Sequence, residues 1–124
     1  MTFPAPATDG FSQGLPRAYL RPCLLLLLSE GESHGYELLQ QVRDLGLIGA
    51  DAGGLYRTMR TMERDDLVVS WWEPSQSGPA RRTYELTAPG RAALEREIAG
   101  LAETHRLLCG LLDRYGQMAT QELT

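Results

Sequence analysis

The sequence predicts a mainly α-helical fold with one small β-hairpin. Apolar residues at helical spacing recur in three segments of the first half of the chain. Two short runs of β-branched and aromatic residues follow, on either side of a polar loop. The last third then places apolar residues at alternating steps of four and three. A chain of 124 residues with a hydrophobic share of 43% suits one packed domain.

The first two helices are predicted from apolar spacing and from capping residues. Residues 1–14 contain two prolines and two glycines, which predicts a flexible N-terminal arm. The first helix is expected from Leu20 to about Ser29, and its leucines lie on nearly every side, which predicts a buried position. The second helix is expected over 34–45, with the Ser33 side chain as its N-terminal cap.

Asp51 and a set of apolar residues predict a third helix over 52–65. The Asp51 carboxylate can accept a hydrogen bond from a free N–H of the first turn. Leu55, Met59 and Met62 fall on one face at spacings of four and three. This face is therefore expected to contact the core.

A β-hairpin and a long helix are predicted for the second half of the chain. Residues 67–72 and 83–86 predict its two strands, and the stretch 74–80, rich in serine, glycine and proline, predicts a long polar tip. Thr87 and Pro89 predict the start of the last helix. The apolar seam of this helix consists of Leu94, Ile98, Leu101, His105, Leu108, Leu112 and Tyr115.

Three helices followed by a hairpin is the element order of a winged helix-turn-helix, in which the third helix enters the major groove of DNA. The predicted divisions are a DNA-binding domain over 15–87, a C-terminal dimerisation helix over 88–116 and a tail over 117–124. A seam of this length is rarely exposed in a monomer, so a homodimer is expected. The alternative is that the seam packs against the first helix of its own chain.

All twelve basic residues are arginines, which can make bidentate contacts with phosphate or guanine. Arg57, Arg60 and Arg64 lie on the face of the third helix opposite its core stripe, and Arg81 and Arg82 lie on the hairpin. These arginines are expected to contact double-stranded DNA. Six acidic residues accompany them, so a solvated surface with internal ion pairs is the alternative. The net charge of −4 excludes indiscriminate binding to nucleic acid.

Five short motifs stand in order between about residues 20 and 94. They are His34-Gly35-Tyr36-Glu37-Leu38, Gly54-Leu55-Tyr56-Arg57 with Met62-Glu63, Trp72-Glu73, Ser77-Gly78-Pro79, and Arg81-Arg82-x-Tyr84-x-Leu86-Thr87 with Gly90. Together they resemble the PadR family of transcriptional regulators, in its compact form with a single C-terminal helix. The resemblance implies a winged-helix homodimer that represses transcription from a partly palindromic operator and is released by a small molecule.

The resemblance also implies where DNA is contacted. It places the groove-entering segment at 54–60, the wing tip at 77–82 and the supporting second helix at 34–38. Asp66 stands where the family usually has glycine, which predicts a left-handed backbone at that turn, and Gly54 stands where a hydroxyl residue is common. With the arginine pattern, the predicted DNA contacts are Tyr36, Gly54, Tyr56, Arg57, Arg60, Arg64, Ser77, Gly78, Arg81 and Arg82.

Two neighbouring tryptophans are the predicted contacts of an aromatic or amphipathic small-molecule effector. Trp71 and Trp72 are consecutive on a strand, so they are expected to face opposite sides of the hairpin. Trp72 matches the family motif, whereas Trp71 is additional. An ordinary packing role is the alternative for both.

Motifs for catalysis, metals and membranes are absent from the sequence. It has no glycine-rich phosphate loop, HExxH or GxSxG motif, so neither an enzyme nor a cofactor is expected. Cys23 and Cys109 lack metal-ligand spacing and are expected to be small core residues. The longest apolar run, 24–28, is too short to span a bilayer, and a cytoplasmic protein is expected. The alternative function is a winged-helix module for protein–protein interaction, with DNA binding secondary or absent.

Overall fold

The structure, a computed structural model, describes residues 14–122 and confirms a mainly helical fold with a small antiparallel sheet. Most of the predicted N-terminal arm, 1–13, and the last two residues of the predicted tail lie outside the described residues. The elements in chain order are a 3-10 turn Arg17–Tyr19, α1 Leu20–Ser29, β1 Ser33–His34, α2 Gly35–Asp44, α3 Ala52–Arg64, β2 Val68–Ser75, β3 Gly78–Leu86 and α4 Ala88–Glu122.

The core lies between the first three helices, the sheet and the first turns of α4. As predicted, α1 is buried on several sides, and Leu24 and Leu25 are fully inaccessible to solvent. The predicted stripe on α3, Leu55 with Met59 and Met62, is fully inaccessible as well. Burial of each such side chain stabilises the fold by about 1.5–3 kcal/mol. These contacts leave the opposite face of α3 exposed.

The sheet has three strands in the order β1-β3-β2, and β1 was not predicted. Ser33 pairs with Tyr84 and His34 with Thr83 on the antiparallel strand β3. The prediction that Ser33 caps the second helix is wrong, because its hydroxyl donates to the Glu37 carboxylate at 3.2 Å. A strand of two residues has no alternation that a sequence pattern could reveal.

The hairpin is longer than predicted, and its tip is shorter. Ser75 pairs with Gly78, so only residues 76–77 turn the chain, and the predicted long tip over 74–80 is wrong. The outer halves of both strands stand clear of the core, where no buried face imposes an apolar alternation. The register shifts between Glu73 and Ser75, at Pro74, which has no N–H to donate to the ladder.

The junction between the sheet and α4 is a compact hydrogen-bonded corner. The Thr87 hydroxyl accepts from the Gly90 N–H at 3.0 Å, as predicted for a cap, and donates to the Asp66 carbonyl at 2.6 Å. Asp66 has φ = 62°, which confirms its predicted left-handed backbone. A Cβ atom at Gly90 would lie 2.1 Å from the Leu67 carbonyl oxygen, so only glycine fits there.

Helix α4 leaves the domain after its first turns. Leu94 packs against the core, and Glu97 pairs with Arg21 of α1 at 3.1 Å. The alternative that the apolar seam packs against the first helix therefore applies only to the start of α4. Beyond Leu101 almost every residue is exposed. The helix runs to Glu122, through the first six residues of the predicted tail. Cys109 is exposed on it, so the prediction that Cys109 is a core residue is wrong.

Candidate nucleic-acid interface

The first turn of α3 is capped by its own preceding aspartate, as predicted. The Asp51 carboxylate accepts a hydrogen bond from the Gly54 N–H at 2.7 Å. This hydrogen bond lowers the pKa of Asp51, and the nearby guanidinium groups of Arg17 and Arg57 lower it further. The carboxylate therefore stays ionised and fixes the start of α3.

A crevice of about 720 Å³ separates the exposed face of α3 from the hairpin. It lies on the side of α3 that the core stripe leaves free. Aromatic rings and arginine side chains make up most of its wall. Its lining residues are His34, Tyr36, Tyr56, Arg60, Glu63, Trp72, Ala80, Arg81, Arg82 and Tyr84.

Two tyrosines line this crevice, Tyr36 from α2 and Tyr56 from α3. Tyr36 is 73% exposed and Tyr56 is 41% exposed. A Cβ atom at Gly35 would lie 2.6 Å from the Tyr56 hydroxyl oxygen and 2.8 Å from its ring. Gly35 therefore leaves the space in which the Tyr56 ring lies against the start of α2.

The arginines of the crevice differ in their surroundings. Arg60 and Arg81 are exposed, and the Arg81 Nη1 lies 3.4 Å from His34 Nε2. Arg82 is half-buried, with its guanidinium 3.6 Å from the Glu63 carboxylate and 5.4 Å from the Trp72 ring centre. Arg60 and Arg81 are therefore available to a polyanion, whereas Arg82 already has partners in its own chain.

Tyr84 is a buried residue that lines the crevice. Burial raises the pKa of its phenol, and the charge of the Arg82 guanidinium acts in the opposite direction. Tyr84 therefore stays neutral at physiological pH and adds no negative charge to this surface.

Comparison with known proteins identifies the family. A model of the "Transcriptional regulator PadR-like family" matches residues 24–96. The chain belongs to the PadR family. Because members of this family are transcriptional regulators and not enzymes, the match agrees with the prediction of a non-enzymatic protein.

Relatives of this PadR regulator span most of its length. It is 36% identical over 94 residues to the transcriptional regulator Rv3488 of Mycobacterium tuberculosis, across 76% of this chain and 86% of the relative. A PadR family regulator from Clostridium difficile is 26% identical with a TM-score of 0.68, over 76% of this chain and 98% of that chain. A PadR-like regulator from Bacillus cereus is 26% identical with a TM-score of 0.70, over 77% of this chain and 93% of that chain.

Several of the predicted contact residues of this PadR regulator lie outside the crevice. Arg57 lines a second cavity of about 300 Å³ with Arg17 and Asp51, at the start of α3. Arg64 is exposed in the last turn of α3 and lines neither cavity. Ser77 and Gly78 are exposed at the tip of the hairpin. The predicted DNA contacts are therefore spread over α2, α3 and the hairpin, and only some of them line the crevice.

The two tryptophans lie on opposite faces of the hairpin, as predicted. Trp72 is 62% exposed and lines the crevice. Trp71 is half-buried on the other face, where its indole N–H donates to Glu73 at 3.2 Å. Only Trp72 is therefore placed beside the arginines.

Three residues that line the crevice were not among the predicted DNA contacts. They are His34, Glu63 and Tyr84. The signal for Tyr84 was available, because it stands two residues after Arg82 on the same strand and therefore on the same face. Glu63 stands three residues after Arg60 on α3, which places it on the same side of the helix.

A second exposed surface lies on α4. Most of the predicted seam is solvent-exposed in the protomer, including Ile98, Leu108, Leu112 and Tyr115. Three further apolar side chains that were not predicted widen this surface, namely Leu107, Leu111 and Met118. Two of them, Leu107 and Leu111, are four residues apart, next to the seam on the same side of the helix.

Other kinds of site are not found within the part of the chain that the structure describes. Residues 14–122 hold no group of three or more histidine, cysteine, aspartate or glutamate side chains that could bind a metal ion. Over the same residues, no helix combines the length and the apolar character that crossing a bilayer requires.

Proposed function

We propose that this PadR regulator represses transcription as a homodimer that binds a partly palindromic operator through α3 and the hairpin. One observation carries the proposal: the exposed face of α3 and the inner face of the hairpin meet in a crevice rich in arginine and aromatic side chains. In a winged helix, the third helix enters the major groove and the hairpin flanks it.

The contacts are assigned by position along this surface. Tyr56 and Arg60 project from the exposed face of α3, so we assign them to base edges in the major groove. Arg57 stands a turn earlier, at the end of α3 that enters the groove first. Arg81 lies on the hairpin beside His34 and is assigned to a phosphate. The remaining proposed contacts are Tyr36, Gly54, Arg64, Ser77 and Gly78. Arg82 is not among them, because Glu63 and Trp72 already hold its guanidinium within the chain.

The proposed dimer forms through the exposed apolar surface of α4. This surface begins at Ile98 and continues to Met118, over about 30 Å of helix. A monomer would leave these side chains in water, whereas a second copy buries them. A two-fold axis through α4 then presents two α3 helices on one side of the duplex, which suits a palindromic operator.

The proposed effector is a planar aromatic molecule that stacks on Trp72. Trp72 is exposed at the edge of a crevice whose volume of about 720 Å³ is in the range of small-molecule sites. A molecule held there would cover Arg60 and Arg81 and thereby displace the operator. Quenching of tryptophan fluorescence by the molecule, lost in Trp72→Phe and retained in Trp71→Phe, tests this assignment.

The DNA-binding proposal is tested with Arg60→Ala in gel shifts. We expect the variant to bind its operator more weakly by about 1–3 kcal/mol, the value of one good bidentate contact, and to unfold at the wild-type temperature. Arg96→Ala is the matched control, because Arg96 is an exposed arginine of α4 away from the crevice. Equal operator affinity of Arg60→Ala and wild type would show that this face of α3 does not read DNA.

The same gel shifts discriminate against a module for protein–protein interaction. Binding to DNA through arginines releases counterions, so affinity must fall steeply as salt rises. A wild-type protein that shifts no duplex at low salt would instead favour the protein–protein function.

A further inference from the structure

Glu63 lies where α3 meets both strands of the hairpin. Its carboxylate accepts a hydrogen bond from the Ser70 hydroxyl of β2 and pairs with the Arg82 guanidinium of β3 at 3.6 Å. Its side chain is 34% exposed and that of Arg82 is 36% exposed, so both groups are partly shielded from water. One carboxylate thus connects the helix to the two strands that flank it.

Arg82 is held from two further sides. Its guanidinium stands over the Trp72 ring at 5.4 Å, a distance at which a cation is attracted to the face of an indole. Its charge also acts on the Tyr84 phenol, which lines the same crevice, and opposes the rise in the pKa of that phenol. To bind a phosphate, Arg82 would have to leave these partners, whereas Arg60 has no such partner among the described residues and Arg81 has only His34 beside it.

The negative charge of Glu63 lowers the affinity of this surface for DNA. Glu63 is the one acidic side chain among the described residues that line the crevice, and a negative charge there repels phosphate. A position on α3 that faces DNA would raise affinity more if it were neutral. The presence of a carboxylate that contacts both strands therefore indicates a role in the geometry of the surface.

We propose that Glu63 is a positioning residue that sets DNA specificity, because it holds Arg82 and the hairpin in place against α3. This inference rests on the proposed function. With Glu63 present, the charge of Arg82 is neutralised by an ion pair within the chain, and the hairpin is held at a fixed distance from α3. Without Glu63, Arg82 is free to bind phosphates of any sequence, and the hairpin is held less firmly.

The test compares Glu63→Gln with wild type on two duplexes. One duplex is selected by the wild-type protein from a randomised library, and the other is a shuffled duplex of the same length and composition. On the shuffled duplex, we expect Glu63→Gln to bind more tightly and its slope of log affinity against log salt to steepen by about 0.9, one extra phosphate contact. The ratio of selected to shuffled affinity should fall about threefold or more.

Glu85→Gln is the matched control for the loss of one negative charge. Glu85 lies on β3 next to Tyr84, so its exposed side chain faces away from the crevice. We expect this variant to keep the wild-type salt slope and the wild-type affinity ratio. Thermal unfolding of each variant checks that it is folded.

Arg82→Gln in both backgrounds separates positioning from a direct contact. In the wild-type background, the salt slope on the shuffled duplex should not change, because Glu63 already neutralises Arg82. In the Glu63→Gln background, the same substitution should remove the additional slope of about 0.9. A role of Glu63 in stability alone would change neither slope.

The outcomes separate the two proposals. A wild-type protein that selects no sequence overturns both the proposed function and this inference. A wild-type protein that selects an operator, with Glu63→Gln indistinguishable from Glu85→Gln, overturns the inference alone. A drop in salt slope when Arg82→Gln is made in the wild-type background also overturns it, because Arg82 would then contact phosphate directly.

Discussion

At the scale of single residues, the surface depends on small residues that leave space for large ones. Gly35 has no side chain, and the Tyr56 ring occupies the space that a Cβ would need. Tyr56 is one residue before Arg57 on α3, so the position of its ring is coupled to the helix that we propose faces DNA. The Tyr56 ring of the second motif thus explains why glycine stands at position 35 in the first motif.

Gly35→Ala is predicted to weaken DNA binding more than it destabilises the fold. The added methyl group meets the end of a side chain that is 41% exposed and can swing outward, so the free energy of unfolding should fall by only about 1 kcal/mol. The displaced ring would no longer reach the base edge to which Tyr56 is assigned in the proposed function. Chemical unfolding and gel shifts measure the two effects.

Gly49→Ala serves as the control, because a Cβ there has no atom within 4 Å. It should change neither operator affinity nor the position of Tyr56. If Gly35→Ala and Gly49→Ala bind the operator alike, Tyr56 makes no contact that depends on its present position.

The chemistry of the crevice was predictable, but the partner of each arginine was not. Arg81 and Arg82 are identical and adjacent in the sequence, and both were predicted to bind phosphate. In the structure both line the crevice, but Arg82 pairs with Glu63 of α3, whereas Arg81 lies beside His34. These partners are distant in the sequence, so no local pattern could assign them.

At the scale of elements, the helices were predicted closely because periodicity and caps coincide. Asp51 and Thr87 both cap their helices, and the predicted core stripe of α3 is buried. The strand β1 and the long arms of the hairpin were missed, because they follow from pairing with β3 and not from a local pattern. The conformation of such segments is determined by tertiary contacts.

Helix α4 carries a prediction of its own, because most described side chains of its outer half are exposed. Leu112→Glu should convert the proposed dimer to a monomer at micromolar concentration, since a carboxylate in an apolar interface loses hydration without a partner. The winged-helix domain should stay folded, because Leu112 lies outside its core. Sedimentation velocity gives the mass, and circular dichroism gives the fold.

Gln117→Glu is the control for the added charge. Gln117 is exposed and lies off the apolar seam of α4. This variant should sediment as the wild type does. A Leu112→Glu protein that still sediments as a dimer would show that α4 is not the dimer contact.

At the scale of the whole molecule, an acidic chain presents a local arginine-rich surface. The net charge is −4, yet Arg57, Arg60 and Arg81 stand on one side of the domain, on α3 and the hairpin. In the proposed function, the overall charge limits binding to arbitrary DNA, and the local surface permits binding where bases and phosphates are placed correctly. The proposed two-fold dimer would present this surface twice at a fixed spacing.

Hydroxyl-radical footprinting of a duplex selected by the wild-type protein tests this account most directly. A homodimer with paired α3 helices should protect two patches on one side of the DNA, with centres about one helical turn, or 34–36 Å, apart. Both patches should fade together in Arg60→Ala at the same protein concentration. A single protected patch, or protection that Arg60→Ala leaves unchanged, would contradict the proposed arrangement.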